Sequence, residues 1–161
     1  MTVDAQVVMD REEIDDFLGD RHVANLTLAR GNQPYSVPIT YAYDGERFYF
    51  RLILPPGSNK RRYLSERPAA RLVVYEESPP RYRSVIADGT PKRVTRGDVD
   101  EATADGFGAM GRPLFELWRE PTADLDIQCY VLEPAKLNGR RIDVEMPIDE
   151  NGTVTEEETT V

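Results

Sequence analysis

Between residues 22 and 54 apolar and polar positions alternate with period two, interrupted twice. "HVANLTLAR" keeps Ala24, Leu26 and Leu28 in phase, "YSVPITYAYD" does the same for Tyr35, Val37, Ile39, Tyr41 and Tyr43, and "RFYFRLIL" follows. The separators "GNQP" and "DGE" are turn-forming, so three consecutive antiparallel strands are predicted. Upstream, "MDREEIDDFLGD" spaces Ile14, Phe17 and Leu18 at helical intervals. Its first turn is acidic, which suits the positive end of a helix, and Gly19 follows as a stop.

Downstream, "AARLVVYEES" and "RYRSVIADGTPKRVT" are strand-like, with Pro79-Pro80 between them and a bend at Asp88-Gly89. "DVDEATADGFGAMGRPLFELWRE" predicts two short helices joined near Gly111, and "LDIQCYVLEPAKL" a last strand. The prediction is a mainly β domain over residues 1–146, a six-stranded antiparallel barrel, closed or split, because closure removes edges that would otherwise aggregate. Residues 147–161 are acidic and almost free of large apolar side chains, so a disordered tail is expected.

Two stretches carry candidate chemistry. On the second strand Ser36, Pro38, Thr40 and Ala42 form a face of small residues opposite the large one. Such a face is either a solvent-facing surface or a place where a flat ligand or another chain approaches the backbone. Pro38 lacks a ladder donor and favours an edge or an interrupted pairing. The other stretch is "LPPGSNKRRYLSERP", where a short helix opens with Lys60, Arg61 and Arg62. A helix N-terminus carries roughly half a positive charge, so cations there are misplaced unless an anion joins them. If Ser58 caps the helix, Lys60 and Arg61 flank its buried side while Arg62 can pair with Glu66 outside. Ser58, Asn59, Lys60 and Arg61 then make either a phosphate cradle or a solvated surface.

Composition narrows the function. Twenty Lys and Arg against 29 Asp and Glu leave a formal charge of −9 in 161 residues, and only three of the cations are lysines. That balance repels nucleic acid and anionic lipid and is compatible with a high-salt cytosol. No apolar run approaches a membrane span and the N-terminus lacks a signal pattern, so a cytoplasmic location is expected. Cys129 and His22 are single, which excludes an internal disulfide and makes a one-chain thiol or histidine metal site untenable. His22 fits the end of a strand face better than a catalytic triad.

The "GNQPYSVPITYAYD" hairpin, the "RFYFR" strand, "GSNKRRYLSERPAARLVVYE" and "YRSVIADGTPKRV" occur in an order and spacing that resembles the pyridoxamine 5′-phosphate oxidase-like family of FMN-binding split barrels. The subgroup that includes nitroimidazole-resistance proteins is the nearest in pattern, and the resemblance runs from about residue 11 to about residue 141. It implies a homodimer with FMN at the subunit interface. By position Lys60 would take the flavin phosphate, aided by Ser58 and Asn59, and Phe50 and Arg51 would line the ribityl and phosphate side. Pro38, Ile39, Thr40 and Tyr41 would present backbone to the ring system, and Ser84 falls where the oxidases carry a flavin-contacting glutamine.

Departures shape the expectation. Val37 and Ala42 stand where the true oxidases have basic residues, and their arginine- and tryptophan-rich C-terminal segment is missing. The resemblance therefore implies an FMN-dependent oxidoreductase acting on a small quinone or nitroaromatic acceptor, not vitamin B6 oxidation. No side chain is singled out as catalytic. The alternatives are a non-catalytic binding protein for FMN, F420 or haem, and a scaffold that has lost its ligand. Phe115 and Trp118 either roof the ring or pack into the core.

Overall fold

The period-two segments become strands in the structure, a computed structural model that describes residues 2–3, 6–110 and 125–145. In chain order the elements are β1 (Thr2–Val3), β2 (Val7–Val8), α1 (Arg11–Gly19), β3 (Val23–Arg30), β4 (Gln33–Tyr43), β5 (Phe48–Ile53), α2 (Asn59–Leu64), β6 (Ala70–Ser78), β7 (Arg81–Gly89), β8 (Lys92–Val94), α3 (Glu101–Ala109), β9 (Ile127–Leu132) and β10 (Lys136–Glu145), with a 3-10 turn at Arg96–Asp98. Among these residues no helix is long and apolar enough to cross a membrane. Phe115, Trp118, the second of the two expected short helices and the acidic tail lie outside the described residues.

All strand pairings are antiparallel, in the order β1-β10-β7-β6-β3-β4-β5-β9-β8, with β2 added beside β10. The expectation of six strands is corrected to ten among the described residues, where the sheet curls without closing because β1 and β8 end the path without pairing to each other. Two of the four additional strands are β1 and β2, and two breaks explain the others. Thr90-Pro91 splits "RYRSVIADGTPKRVT" into β7 and β8, which sit in different halves of the sheet, and Glu133-Pro134 splits the last expected strand into β9 and β10. β10 also runs on through "NGRRIDVE", which has no period-two apolar pattern. Its Gly139 is required by close packing: a Cβ there would meet Ile14 Cγ1 at 2.8 Å and Met9 Sδ at 2.9 Å.

β4 joins the two halves. Residues 33–40 pair with β3, whereas only Tyr41, Ala42 and Tyr43 pair with β5. The core lies inside the curl and is built from Leu26, Leu28, Leu72 and Val74 of one half and Phe48, Phe50, Leu52 and Leu132 of the other. α1 covers it with Ile14, Phe17 and Leu18, and Asp10 caps that helix by accepting from the Glu13 N–H at 2.9 Å. Each large side chain so buried contributes about 1.5–3 kcal/mol of hydrophobic stabilisation. His22 is exposed immediately before β3, and its carbonyl accepts from the Tyr41 N–H at 2.9 Å.

Candidate functional site

The two faces of β4 behave as their side chains dictate up to its midpoint. Tyr35 and Val37 are half-buried against the core while Ser36 and Pro38 are exposed; from Ile39 to Ala42 both faces are buried, as β5 joins. The segment around Pro38 is therefore bonded on one side only, which is the interrupted pairing that a missing N–H permits. At the transition stands Thr40, 6% exposed, whose Oγ1 is buried with no hydrogen-bond partner among the described residues. Leaving a buried hydroxyl unsatisfied costs about 1–3 kcal/mol, and a polar ligand atom would remove that cost.

α2 is tied to this strand by Tyr63, which is buried and meets the Tyr35 ring at 5.7 Å between centroids. Gly57, at φ +75°, turns the chain into the helix, and Ser58 caps it by accepting from the Arg61 N–H at 3.3 Å. The helix is only six residues long, so Arg61 and Arg62 already lie in its last turn, where the dipole favours cations. The basic run is less misplaced than the sequence suggests. Arg61 turns away to donate to the Leu54 carbonyl at 2.5 Å and to ion-pair with Asp126. Arg62 does not pair with Glu66 as expected; Glu66 is taken by Arg30 at 2.8 Å, and Arg62 reaches Asn59 Oδ1 at 3.4 Å. Lys60 remains half-buried and Asn59 exposed.

The other expected site residues separate into two groups. Ile39, Tyr41 and Phe50 are core side chains: the Tyr41 hydroxyl donates to the Leu18 carbonyl at 2.9 Å, and Phe50 stacks on Tyr130 at 5.9 Å. Only their backbone can face a ligand. Burial raises the Tyr41 phenol above its usual range, so it stays a neutral donor. Arg51 is held by α3, donating to the Phe107 carbonyl at 3.1 Å with its guanidinium 5.7 Å from that ring. Ser84 shares the outer sheet face with Pro38 and Thr40, since Ile86, Val73, Asn25 and Pro38 stand opposite one another across β7, β6, β3 and β4. Three strand spacings put Ser84 about 14 Å from β4 within one chain.

A second feature was not singled out from the sequence. Between α2 and the β8–β9 edge opens a cavity of about 710 Å³ whose lining includes Arg61, Arg67, Lys92, Arg93 and Tyr130. Asp126 beside it is held below the ordinary carboxylate range by hydrogen bonds from Gln128 and then Arg61. Burial raises the Tyr130 phenol, against the pull of Arg93 and Arg61. The available signals were the adjacent cations of "TPKRV" and an arginine placed just after a helix.

Comparison with known proteins bears on the chain as a whole. A family model described as pyridoxamine 5′-phosphate oxidase matches residues 10–141. The chain belongs to this family. Among solved structures, the fold resembles a FAD-binding protein from Mesorhizobium loti (TM-score 0.64, 17% identity, 86% of this chain and 97% of that one). It also resembles a candidate 5-nitroimidazole antibiotic resistance protein from Bacteroides thetaiotaomicron (TM-score 0.67, 12% identity, 88% and 90%). A third is a FAD and heme binding protein from Mycobacterium smegmatis (TM-score 0.61, 23% identity, 92% and 78%). An uncharacterized protein of Rhizobium meliloti (strain 1021) is 36% identical over 83 residues, 51% of this chain, and the chain spans about half the length of that curated relative. The pyridoxamine 5′-phosphate oxidase family and its fold place the chain in the FMN-binding split-barrel superfamily.

Proposed function

We propose that the protein is an FMN-dependent oxidoreductase acting on a small quinone or nitroaromatic acceptor rather than on a B6 vitamer. The observation that carries the reading is the buried, unpartnered Thr40 hydroxyl beside the exposed Pro38 edge. Bound flavin would supply the electron chemistry, which needs no nucleophile or triad from the chain. Pro38, Ile39, Thr40 and Tyr41 would orient the ring through backbone and the Thr40 hydroxyl. Lys60 would hold the phosphate with Ser58 and Asn59, while Phe50 and Arg51 support that wall from β5. Arg61, engaged with Asp126, would act as a more distant positive charge.

The cofactor site is completed by a second copy in this reading. The outer face that carries Pro38 and Thr40 also carries Val23, Val73, Ile86 and Tyr75, the last 64% exposed, which suits burial against a partner. A partner's Ser84 could then approach a flavin that the same chain's Ser84 cannot reach. A second reading is a carrier that binds FMN, F420 or haem without turnover, whereas the apolar Val37 and Ala42, standing where the true oxidases have basic residues, favour a third, a scaffold that has lost its ligand. Protein purified without added cofactor should be yellow, and Lys60→Ala should weaken FMN retention at least about tenfold, the loss of one charge-assisted contact. Colourless protein, with weak FMN affinity equal in both forms, overturns the flavin proposal. Flavin that binds but does not cycle with a reduced nicotinamide and a quinone supports the carrier.

A further inference from the structure

We propose that the cavity between α2 and the β8–β9 edge is a second binding site, for small organic phosphates carrying two or more negative charges. The chain as a whole bears −9, yet four cations line this one space. They come from three separate segments: Arg61 from α2, Arg67 from the loop after it, and Lys92 and Arg93 from β8. A solvated helix face would not assemble them; the fold does.

Their bonding leaves charge to spare. Arg61 spends one ion pair on Asp126, but its Nε is buried with no hydrogen-bond partner. Among the described residues no carboxylate ion-pairs with Arg67, Lys92 or Arg93. Arg67 sits at φ +49°, a left-handed conformation that glycine or asparagine normally takes after a helix. Next to the cations, Tyr130 keeps its proton as burial raises its phenol, and so serves as a neutral donor. Leu54 and Leu64 supply apolar wall, room for an organic group beyond the phosphates. Forked guanidinium donors match phosphate oxygens bidentately; Arg93 shares the face of Tyr130, Lys92 points to the other face of β8, and Arg67 and Arg93 together with the spare Nε of Arg61 suit a di- or triphosphate rather than a single carboxylate.

The site is separate from the proposed flavin site and does not rest on it. Thr40 and Lys60 are not in its lining, and Arg61 alone is common to both. Calorimetric titration of the full-length protein at low ionic strength with ADP, inorganic pyrophosphate and adenosine tests it. Saturable binding of ADP and pyrophosphate but not adenosine is expected, weakened about tenfold by Arg93→Gln and further by R67Q/R93Q. Lys60→Ala should leave ADP affinity unchanged, and raised salt should weaken it, because Arg67, Lys92 and Arg93 are exposed. Circular dichroism should show both Gln variants folded. No saturable binding below about 1 mM, equal affinity in the double variant, or loss of ADP with Lys60→Ala while Arg93→Gln retains it, would each overturn the proposal. The last outcome would assign the phosphate to the start of α2.

Discussion

The two sides of α2 differ in how they could select a ligand. Toward β4 the surface is small and uncharged apart from Lys60, with one orphan hydroxyl on Thr40. Toward β8 and β9 the surface is open and cationic, and it surrounds a volume rather than a plane. On the proposed readings the first would recognise shape and close approach to backbone, and the second charge. One basic run in the sequence serves both, because a six-residue helix distributes consecutive side chains around its whole circumference. Lys60, Arg61 and Arg62 therefore have three different environments.

The contrast can be broken most forcefully at the hinge between the regions. Tyr63→Ala removes the buried ring that meets Tyr35 and should cost about 3–4 kcal/mol, abolishing flavin and ADP binding together. Urea unfolding with both titrations checks this; a variant that keeps either affinity would show that α2 is held by other contacts. A smaller and one-sided effect is expected from Thr40→Val. Deleting an unsatisfied buried hydroxyl should stabilise the ligand-free protein by about 1–2 kcal/mol, while weakening FMN and leaving ADP alone.

Arg67→Gly is its mirror image on the cationic side. Relief of the left-handed backbone should add about 1 kcal/mol of stability and weaken ADP but not FMN, measured by thermal unfolding and the same titrations. The smallest effect is in acid. The Asp126 carboxyl, held low first by Gln128 and then by Arg61, has a folded value below its ordinary 3.8. A depressed carboxylate stabilises the fold above its unfolded value and loses that contribution as pH falls through the folded one. Below pH 3.8 the wild type should lose stability with acid slightly more steeply than Asp126→Asn; identical slopes would show that the pair contributes nothing measurable.

Much of the first region was legible in the chain. The phase of Tyr35 to Tyr43 announced which face of β4 enters the core, Pro38 announced its interrupted edge, and Ser58 announced the cap of α2. These are local rules, written within a few residues. The second region was not legible, because Arg61, Arg67 and Arg93 come to line one cavity, and Arg61 meets Asp126, only through pairing of β8 with β9 and docking of α2. β10 escaped for a related reason. Its glycine and charged residues suit a strand covered by Met9 and Ile14 near its centre, and no period-two pattern marks such a strand.

By itself the sequence determined the strand-rich class, the meander of β3 to β5, the amphipathic first helix and the family. The first three depend on periodicity and turn chemistry, which act over neighbouring residues, and the family on the order and spacing of motifs that resemble it. Tertiary structure alone decided that the sheet stays open and that Glu66 chooses Arg30 over Arg62. It also decided that cations from three segments gather at one cavity. Those outcomes come from long-range pairing, where the partner lies tens of residues away and the choice is made by geometry.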